Sequence, residues 1–405
     1  MSRSVVVTAI SIWSPYGRGI DAFWNGLVEM RSGAKPFGRF NVNHWVFRTR
    51  QGAAIPEITN EKIEGELSAS AIMCQVAEDL SGNENTAQQQ VSAYETGLCI
   101  GSSHGGATAR FTNFLRSQRG EHISEDWMDT NAPLSSAALL APLVLQLNVK
   151  GPSSMISTAC ASGTSSIGTA YNWIRRGRVR RAYAGGFGYF TEISYSGFNI
   201  LRLTAKDGCR PFDTQRTGIM LGDGFALVTL EDEDLATQRG ATIYARIAGY
   251  CDANEAHHPT SPEPNGNTAL KVMWNALGRS QQQLAKLDYI NAHGTGTQAN
   301  DTAELIAIQR LLNLGEGKSD VAISSTKGHH GHSLGASGSV EFIATVLAMR
   351  NQTVPATLGL ETPEKEFHHL NLVRGSPQKR TIRVALSNSF AFGGNAASIA
   401  IERPD

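Results

Sequence analysis

Two segments in different halves of the chain follow the same plan. "STACASGTSSIG" and "STKGHHGHSLGASGSVEF" each lead from an apolar, strand-like run through a turn of small residues into a helical pattern. In the first helix Ile167 and Ile174 fall near one face, and in the second Val340 and Leu347 do the same. The similarity is too short to establish a repeat alone, but it predicts two related halves packed together.

Strand-like runs alternate with helical patterns along the rest of the chain. They include "SVVVTAI", "TGLCIGS" and "ATIYARIAGY", and "RVALSNSFAFGGNAASIAIE" is typical of two strands joined by a glycine hairpin. This alternation predicts an α/β fold with buried strands. No Pro/Ser-rich linker interrupts it, so we place the halves at residues 1–240 and 241–405 as parts of one unit.

Charge, hydropathy and cysteine usage narrow the functional class. The 36 basic and 36 acidic side chains of the 405-residue chain cancel, so nucleic acid is not the expected partner. The most apolar stretch, residues 133–148, is interrupted and too short to span a bilayer, and we interpret it as a buried helix. Five scattered cysteines without CxxC spacing, after a start that lacks a signal-peptide pattern, favour reduced thiols. We therefore expect a cytoplasmic protein with no membrane span.

Cys160 is the candidate nucleophile. It stands between a strand and a helix, where unpaired backbone N–H groups and the helix dipole favour the thiolate. Its neighbours Ala159, Ala161 and Gly163 leave room for a tight turn that presents the sulfur outward, as a nucleophile elbow does. A lone free cysteine is more often a buried core residue, and we interpret the other four cysteines in that way.

Three further polar segments end predicted strands or open helices. They contain His293, the stretch Lys327–His332, and Phe392. Because ligands bind at the carboxyl ends of strands in α/β sheets, we expect all three segments to meet Cys160 at one rim. Neutral imidazoles there could donate hydrogen bonds or move a proton, and the N–H groups of "FAFGGN" could complete an oxyanion hole with that of Cys160. The spacing in "HHGH" fits no common metal site, so we expect no metal.

The ordered set of motifs resembles a known family. "TACASG", "NAHGTGT", "STKGHHGH" and "SFAFGG", together with "RPFDTQRTGIMLGDGFALVTLE" and "NDTAELIAI", resemble the β-ketoacyl-ACP synthases of the thiolase-like superfamily, in particular the elongating ketosynthases. The resemblance covers nearly the whole chain in the family's order. It implies the thiolase-like α/β fold, with two related halves in a five-layered αβαβα arrangement.

The resemblance also implies an acyltransferase reaction. Cys160 would accept an acyl group from the phosphopantetheine of acyl carrier protein (ACP). Malonyl-ACP would then lose CO2, and its enolate would attack the Cys160 thioester to give a β-ketoacyl-ACP two carbons longer, in fatty-acid, polyene or polyketide-like synthesis. No metal or redox cofactor is implied, since loss of CO2 drives the condensation.

Each remaining candidate takes a role from the same resemblance. His293 and His332 would stabilise the enolate oxygen, and Lys327 would orient and tune them. Glu304 would be the buried acid partner of Lys327. The N–H groups of Cys160 and Phe392 would hold the thioester oxygen, with Phe392 also acting as a gate.

The chain departs from the family pattern next to the gate. Ala391 stands where a glycine is usual, and its methyl group is expected to stiffen the loop. Asn395 and Ala396 replace the family's Thr-Asn or His-Asn pair, so an expected asparagine side chain is missing. These departures suggest a specialised pathway rather than bulk fatty-acid synthesis.

Two other functions and several partners remain open. A CoA-dependent thiolase-like enzyme would normally carry a second catalytic cysteine, and a chain-length-factor-type subunit usually lacks the nucleophile. The resemblance implies a dimer, either with itself or with a chain-length-factor-like subunit, and an acidic ACP as partner. The candidate docking residues are Arg175–Arg181, or Arg110, Arg116 and Arg119.

Overall fold

The computed structural model describes residues 2–40, 47–58, 69–83, 91–105, 114, 117–118, 120, 136–315 and 320–404. The strands are β1 (Val5–Ser14), β2 (Gly17–Arg18), β3 (Lys35–Pro36), β4 (Gln51–Gly52), β5 (Thr96–Gly101), β6 (Ser153–Ile156), β7 (Arg181–Gly188), β8 (Gly224–Asp232), β9 (Ala245–Asn254), β10 (Leu287–Asn291), β11 (Ala322–Ser324), β12 (Thr353–Val354), β13 (Asn371–Leu372), β14 (Gln378–Lys379), β15 (Val384–Phe390) and β16 (Asn395–Glu402).

The helices lie between these strands. They are α1 (Ile20–Val28), α2 (Ala69–Asn83), α3 (Ser136–Gln146), α4 (Ser162–Arg175), α5 (Glu192–Ile200), α6 (Glu233–Gln238), α7 (Asn267–Ala276), α8 (Gln281–Lys286), α9 (Gln298–Asn313), α10 (Lys327–His330) and α11 (Ser337–Asn351).

Both halves of the chain build the same sheet. The first half has the strand order β6-β5-β7-β8-β1, and the second has β11-β10-β15-β16-β9, with β13 beyond β11. In each half the first three strands run parallel and the last two pair antiparallel to their neighbours. β1 and β9 pair where the halves meet, with Val6 opposite Arg246. The relationship suggested by the two similar segments therefore extends to the whole topology, while the boundary at residues 240 and 241 stays a prediction.

The helices and the two halves of this sheet form five layers. α4 and α11 pack against each other between the two halves of the sheet, and α11 is buried from Ser337 to Met349, as expected of a helix covered on all sides. α2 packs on β1 and β8 with α3 beside it, and α7 packs on β9 and β16 with α9 beside it. Along β1, Val5 and Val7 join the core around α4 and α11, while Ala9 and Trp13 join the core around α2. The predicted αβαβα arrangement is confirmed.

The most apolar stretch of the sequence forms α3, with Pro142 inside it. The prediction of a buried helix was wrong for its second half, where Ala141, Pro142 and Gln146 are exposed and Leu145 is 80% exposed. None of the helices described by the structure combines the length and hydropathy needed to cross a membrane.

The two central helices cross at glycines. A Cβ atom on Gly163 would lie 2.6 Å from the backbone nitrogen of Ser339, and one on Gly338 would lie 2.6 Å from that of Thr164. Both distances are shorter than real Cβ contacts, so the crossing requires glycine on each helix. This symmetric contact places the turns before α4 and α11 next to each other.

We expect Gly338→Ala to lower the free energy of unfolding by about 2 kcal/mol, because its methyl group forces the central helices apart. Urea unfolding monitored by circular dichroism measures the change. Gly197→Ala is the matched control, since Gly197 is an exposed glycine of α5 with no atom within 4 Å of its added Cβ. It should leave stability unchanged or raise it by up to about 1 kcal/mol. Equal stability of the two variants would contradict a tight crossing.

Candidate active site

The structure brings the predicted residues to one cavity of about 270 Å³. Cys160, His293, His332 and Phe392 all line it, together with Phe390. Cys160, His293, His332 and Phe392 follow β6, β10, β11 and β15 in turn, and Phe390 is the last residue of β15. The strands of both halves therefore contribute to one site. The expected convergence of sulfur, imidazoles and gate loop at one rim matches this geometry.

Cys160 lies in a strained turn before α4, and the turn before α11 in the other half of the chain has the same strain. It lies in a 3₁₀ turn, Ala159–Ala161, immediately before α4, and Ala159 has a φ of 49°. The equivalent turn before α11 has Leu334 at a φ of 52°, two residues after His332. Left-handed backbone at non-glycine residues is held only where the surroundings enforce it. The fold therefore uses one turn geometry twice, once for the sulfur and once beside an imidazole.

Burial dominates the ionisation of the thiol. Burial raises the pKa of Cys160 to about 11, although the charge of Lys327 and the N–H groups of Phe392 and Cys160 itself pull it down. Burial therefore opposes the thiolate that the helix terminus was expected to favour. Cys160 is 7% exposed, and its loss of hydration is the largest influence on its pKa. The raised pKa favours the thiol form at neutral pH.

The two histidines are neutral and present the same nitrogen. His332 Nδ1 accepts hydrogen bonds from the N–H of Leu334 (3.0 Å) and pairs with the Ser337 hydroxyl (2.9 Å). His293 Nδ1 lies 3.1 Å from Lys327 Nζ, which has only protons to offer. Nδ1 is an acceptor in both rings, so the proton resides on Nε2. Burial and the charge of Lys327 hold both pKa values well below the ordinary range.

These rings lie at right angles to each other. Their centroids are 5.6 Å apart and their planes make an angle of 89°. Both line the cavity that Cys160 also lines. Two Nε2–H donors in one cavity form a site suited to an oxygen atom that gains negative charge.

Lys327 is paired with a different acid from the one expected. Its Nζ donates to the carbonyl oxygen of His293 (2.5 Å) and forms an ion pair with Glu341 on α11. Both side chains of this pair are fully buried. The assignment of Glu304 as the partner of Lys327 is therefore corrected to Glu341. Sequence reasoning missed Glu341 although its place inside the small-residue and apolar run "GASGSVEF" marks a charge that needs a buried partner.

Glu304 holds the loop that carries His293. Its carboxylate accepts the N–H groups of His293 and Gly294, each at 2.8 Å, and the side-chain amide of Asn388 at 3.2 Å. Burial raises its pKa to about 7 against these hydrogen bonds. Glu304 therefore acts on the site through the backbone of its imidazole-bearing loop.

The gate loop, residues 391–395, lies over the sulfur. The N–H of Phe392 hydrogen-bonds Cys160, and the Phe392 ring stacks on Phe198 with centroids 5.6 Å apart. Gly393 and Gly394 adopt positive φ values of 77° and 74°. Ala391, by contrast, has a φ of −140°, an extended conformation open to any residue. The added methyl group therefore imposes no backbone strain on the loop.

The arginine-rich run lies far from this cavity. Arg175 ends α4, whose other end carries Cys160, and a 14-residue helix is about 21 Å long. Arg180 pairs with Asp232, and Arg181 pairs with Glu231. These arginines join a structural ion network. The other docking candidates, Arg110, Arg116 and Arg119, lie outside the described residues.

Metal ligation has no support in the described ranges, which contain no group of three or more His, Cys, Asp or Glu side chains placed to hold an ion. In "HHGH", His329 Nε2 pairs with the carbonyl of Ala356 and His330 Nε2 pairs with the hydroxyl of Thr326. Both rings are buried and packed into the structure.

Two domain models of one family match most of the chain. The model of "Beta-ketoacyl synthase, N-terminal domain" matches residues 2–236, and that of "Beta-ketoacyl synthase, C-terminal domain" matches residues 244–361. The chain belongs to the β-ketoacyl synthase family. It is therefore a condensing enzyme, in agreement with the resemblance of its motifs.

Relatives and solved structures extend along the full length of this ketosynthase. A 3-oxoacyl-[acyl-carrier-protein] synthase 2 of Synechocystis is 32% identical and covers 99% of the chain and 98% of the relative. A type II polyketide ketosynthase in complex with its acyl-carrier protein aligns with a TM-score of 0.90 at 25% identity, covering 100% of both chains. The ishigamide ketosynthase/chain length factor aligns with a TM-score of 0.87, also at 25% identity and full coverage.

We expect alkylation of Cys160 by iodoacetamide to accelerate about tenfold per pH unit from pH 7 to 10, because burial keeps its pKa near 11. Lys327→Met should slow alkylation at each pH, since it removes the charge that lowers this pKa. Peptide mass spectrometry separates Cys160 from the partly exposed Cys74 and Cys251. A rate that levels off below pH 9 would contradict the assignment.

Proposed function

We propose that this ketosynthase elongates acyl chains carried on ACP. It transfers an acyl group to Cys160, decarboxylates malonyl-ACP, and releases a β-ketoacyl-ACP two carbons longer. The observation that supports this most is the pair of Nε2–H donors of His293 and His332 in the cavity that Cys160 lines. The reaction needs two sets of hydrogen-bond donors in one cavity. The N–H groups of Cys160 and Phe392 would hold the thioester oxygen, and the two Nε2–H groups would hold the enolate oxygen.

Acyl transfer uses the first donor set. The Cys160 sulfur attacks the thioester carbonyl, and the N–H groups of Cys160 and Phe392 hold the oxygen as it becomes negative. The carbon–sulfur bond to phosphopantetheine then breaks, and the proton from Cys160 leaves with the released carrier thiol. Because the thiol is largely protonated at rest, its deprotonation occurs together with the attack.

Decarboxylation and condensation use both sets of hydrogen-bond donors, the two histidines and the two backbone N–H groups. The malonyl thioester oxygen accepts Nε2–H bonds from His293 and His332, which stabilise the enolate formed when CO2 leaves. The enolate carbon attacks the Cys160 thioester, whose oxygen again lies on the two N–H groups. The carbon–sulfur bond to Cys160 breaks, the departing thiolate takes a proton from solvent water, and β-ketoacyl-ACP remains.

The alternatives find less support in the same residues. The described lining of the cavity contains Cys160 as its one cysteine, whereas a thiolase-like enzyme needs a second catalytic thiol. A non-catalytic chain-length-factor-type subunit transfers no acyl group, so it requires neither a nucleophile nor N–H donors oriented toward it. We keep both as outcomes of the tests below.

Two kinds of partner follow from the proposal. The relative in complex with an acyl-carrier protein supports ACP as the substrate carrier. β6 ends the sheet, and within the described residues no strand pairs with its outer edge, which supports a dimer formed along this edge. The ishigamide ketosynthase/chain length factor supports either a second copy or a chain-length-factor-like subunit as the occupant.

The proposed reaction needs no metal or redox cofactor, because loss of CO2 supplies its driving force. All five cysteines are free, and free thiols persist in reducing compartments. We accordingly assign the activity to the cytoplasm, where Cys160 stays available for acylation.

We expect Cys160→Ala to abolish acylation and condensation while it retains CO2 release from malonyl-ACP, since the histidine donors remain. His332→Ala should lower CO2 release by about 10²–10³-fold, the usual effect of losing one oxyanion donor. Radiolabelled acyl-ACP and malonyl-ACP measure the two activities. Labelling of Cys160 from acyl-CoA alone would favour the thiolase-like alternative, and no labelling from any donor would favour the non-catalytic subunit.

We also expect the carrier to dock beside α5 rather than on the arginine run. Phe198 and Leu203 line the cavity, and between them Ile200 and Leu201 are 72% and 48% exposed, followed by the exposed Arg202. An apolar pair next to a cation suits an acidic carrier.

Arg202→Glu should raise KM for acyl-ACP several-fold with little change in kcat, as measured by steady-state condensation assays. Arg176→Glu, at the far exposed end of α4, is the matched control for the charge reversal. If the control raises KM more than Arg202→Glu, docking on the arginine run is correct instead.

A further inference from the structure

The gate loop is held by an asparagine from a different strand. Position 396, where the resemblance led us to expect an asparagine, is Ala396. Asn254, the last residue of β9, lies directly opposite Asn395 in the β9–β16 ladder. Its side-chain amide donates to the carbonyl oxygen of Gly393 at 2.7 Å.

We infer that Asn254 is a positioning residue, which fixes the Phe392 N–H in the oxyanion hole by holding the carbonyl of Gly393. The inference rests on the proposed function, because it concerns the donor that the acyl-transfer step uses. It assigns to β9 a role in catalysis that the chemistry-bearing motifs of the sequence do not contain.

The orientation of the Asn254 amide is determined by its own hydrogen bonds. Asn254 Oδ1 accepts the N–H of Ala256 at 2.8 Å. With the oxygen committed to that N–H, Nδ2 must face the gate loop, where it meets the Gly393 carbonyl and lies 3.4 Å from Asn395 Oδ1. The donor therefore cannot be exchanged for an acceptor by flipping the amide.

The carbonyl groups of Phe392, Gly393 and Gly394 all accept hydrogen bonds. The Phe392 carbonyl accepts from Asn395 Nδ2 at 3.4 Å, that of Gly393 from Asn254, and that of Gly394 from the N–H of Glu255 at 2.8 Å. The Gly393 N–H donates to the carbonyl of Pro259 at 2.7 Å. This leaves the N–H of Phe392 directed at the Cys160 sulfur. In three of these four hydrogen bonds the partner belongs to the segment 254–259.

The fit between the loop and Asn254 is close. A Cβ atom on Gly394 would lie 3.1 Å from Asn254 Oδ1, and Gly394 has a φ of 74°. The glycine lets the loop pass against the amide in a conformation that other residues rarely adopt. Asn254 thus holds the peptide between Gly393 and Gly394, while the Phe392 N–H that meets the sulfur belongs to the peptide between Ala391 and Phe392. The peptide that joins these two is itself held by Asn395 and Pro259.

Acyl transfer and decarboxylation should respond differently to loss of this tie. Acyl transfer depends on the Phe392 N–H. Release of CO2 depends on His293 and His332, which Lys327 and Ser337 hold without contact to Asn254. A general structural defect would slow both reactions, whereas a displaced Phe392 N–H slows only the first.

The decisive variant is Asn254→Asp, which keeps the shape of the side chain but places a carboxylate oxygen against the Gly393 carbonyl. We expect at least a tenfold loss in single-turnover acylation of Cys160 from radiolabelled acyl-ACP, with CO2 release from malonyl-ACP within twofold of the parent. Asn254→Ala removes the donor without adding charge and should show the same split with a smaller loss. It also serves if the aspartate variant does not fold.

Asn313→Asp is the matched control, because it introduces the same charge at an exposed position at the end of α9. It should change neither rate. Unchanged acylation in both Asn254 variants, or an equal loss of acylation and CO2 release, would overturn the positioning role. A parent protein that neither becomes acylated nor releases CO2 would instead reject the proposed function.

Discussion

The close crossing of the two central helices determines where the chemistry lies. Gly163 and Gly338 allow α4 and α11 to approach until backbone nearly meets backbone. Each helix begins one residue before its glycine, so the turns that precede the two helices are brought together. One of these turns holds Cys160, and the other follows His332. A side chain at either glycine would separate a nucleophile from an oxyanion donor that is more than 170 residues away in sequence.

A buried charge then organises the polar part of the site. Lys327 lies among groups that would otherwise be unpaired, because its ammonium meets the His293 carbonyl, the His293 ring and the Glu341 carboxylate. Taking such a charge out of water is costly unless partners surround it. The same charge lowers the pKa values of His293, His332 and Cys160, and it therefore links the two donor sets electrostatically.

The sequence predicted the structure best where a feature depends on neighbouring residues alone. The alternation of strands and helices predicted the α/β class, and small residues around Cys160 predicted a tight turn before α4. Depth of burial is not a local property, so the sequence did not show that burial raises the pKa of Cys160 against the influence of the helix terminus. The partner of Lys327 depends on how α11 packs, and Glu304, the acid expected from the family resemblance, accepts hydrogen bonds from backbone N–H groups and the Asn388 amide instead. The tie from Asn254 depends on strand register, which follows only from the assembled sheet.

The neutral state of the two imidazoles has a consequence for the yield of the reaction. Each ring has one proton, on Nε2, and its Nδ1 is occupied by Lys327 or by Leu334 and Ser337. Such a ring can stabilise the enolate by donating a hydrogen bond to the enolate oxygen. It has no additional acidic proton that it could transfer to the enolate carbon. An imidazolium in the same position would quench the nucleophile to a dead-end acetyl thioester. Keeping these rings uncharged protects each malonyl unit until its new carbon–carbon bond has formed.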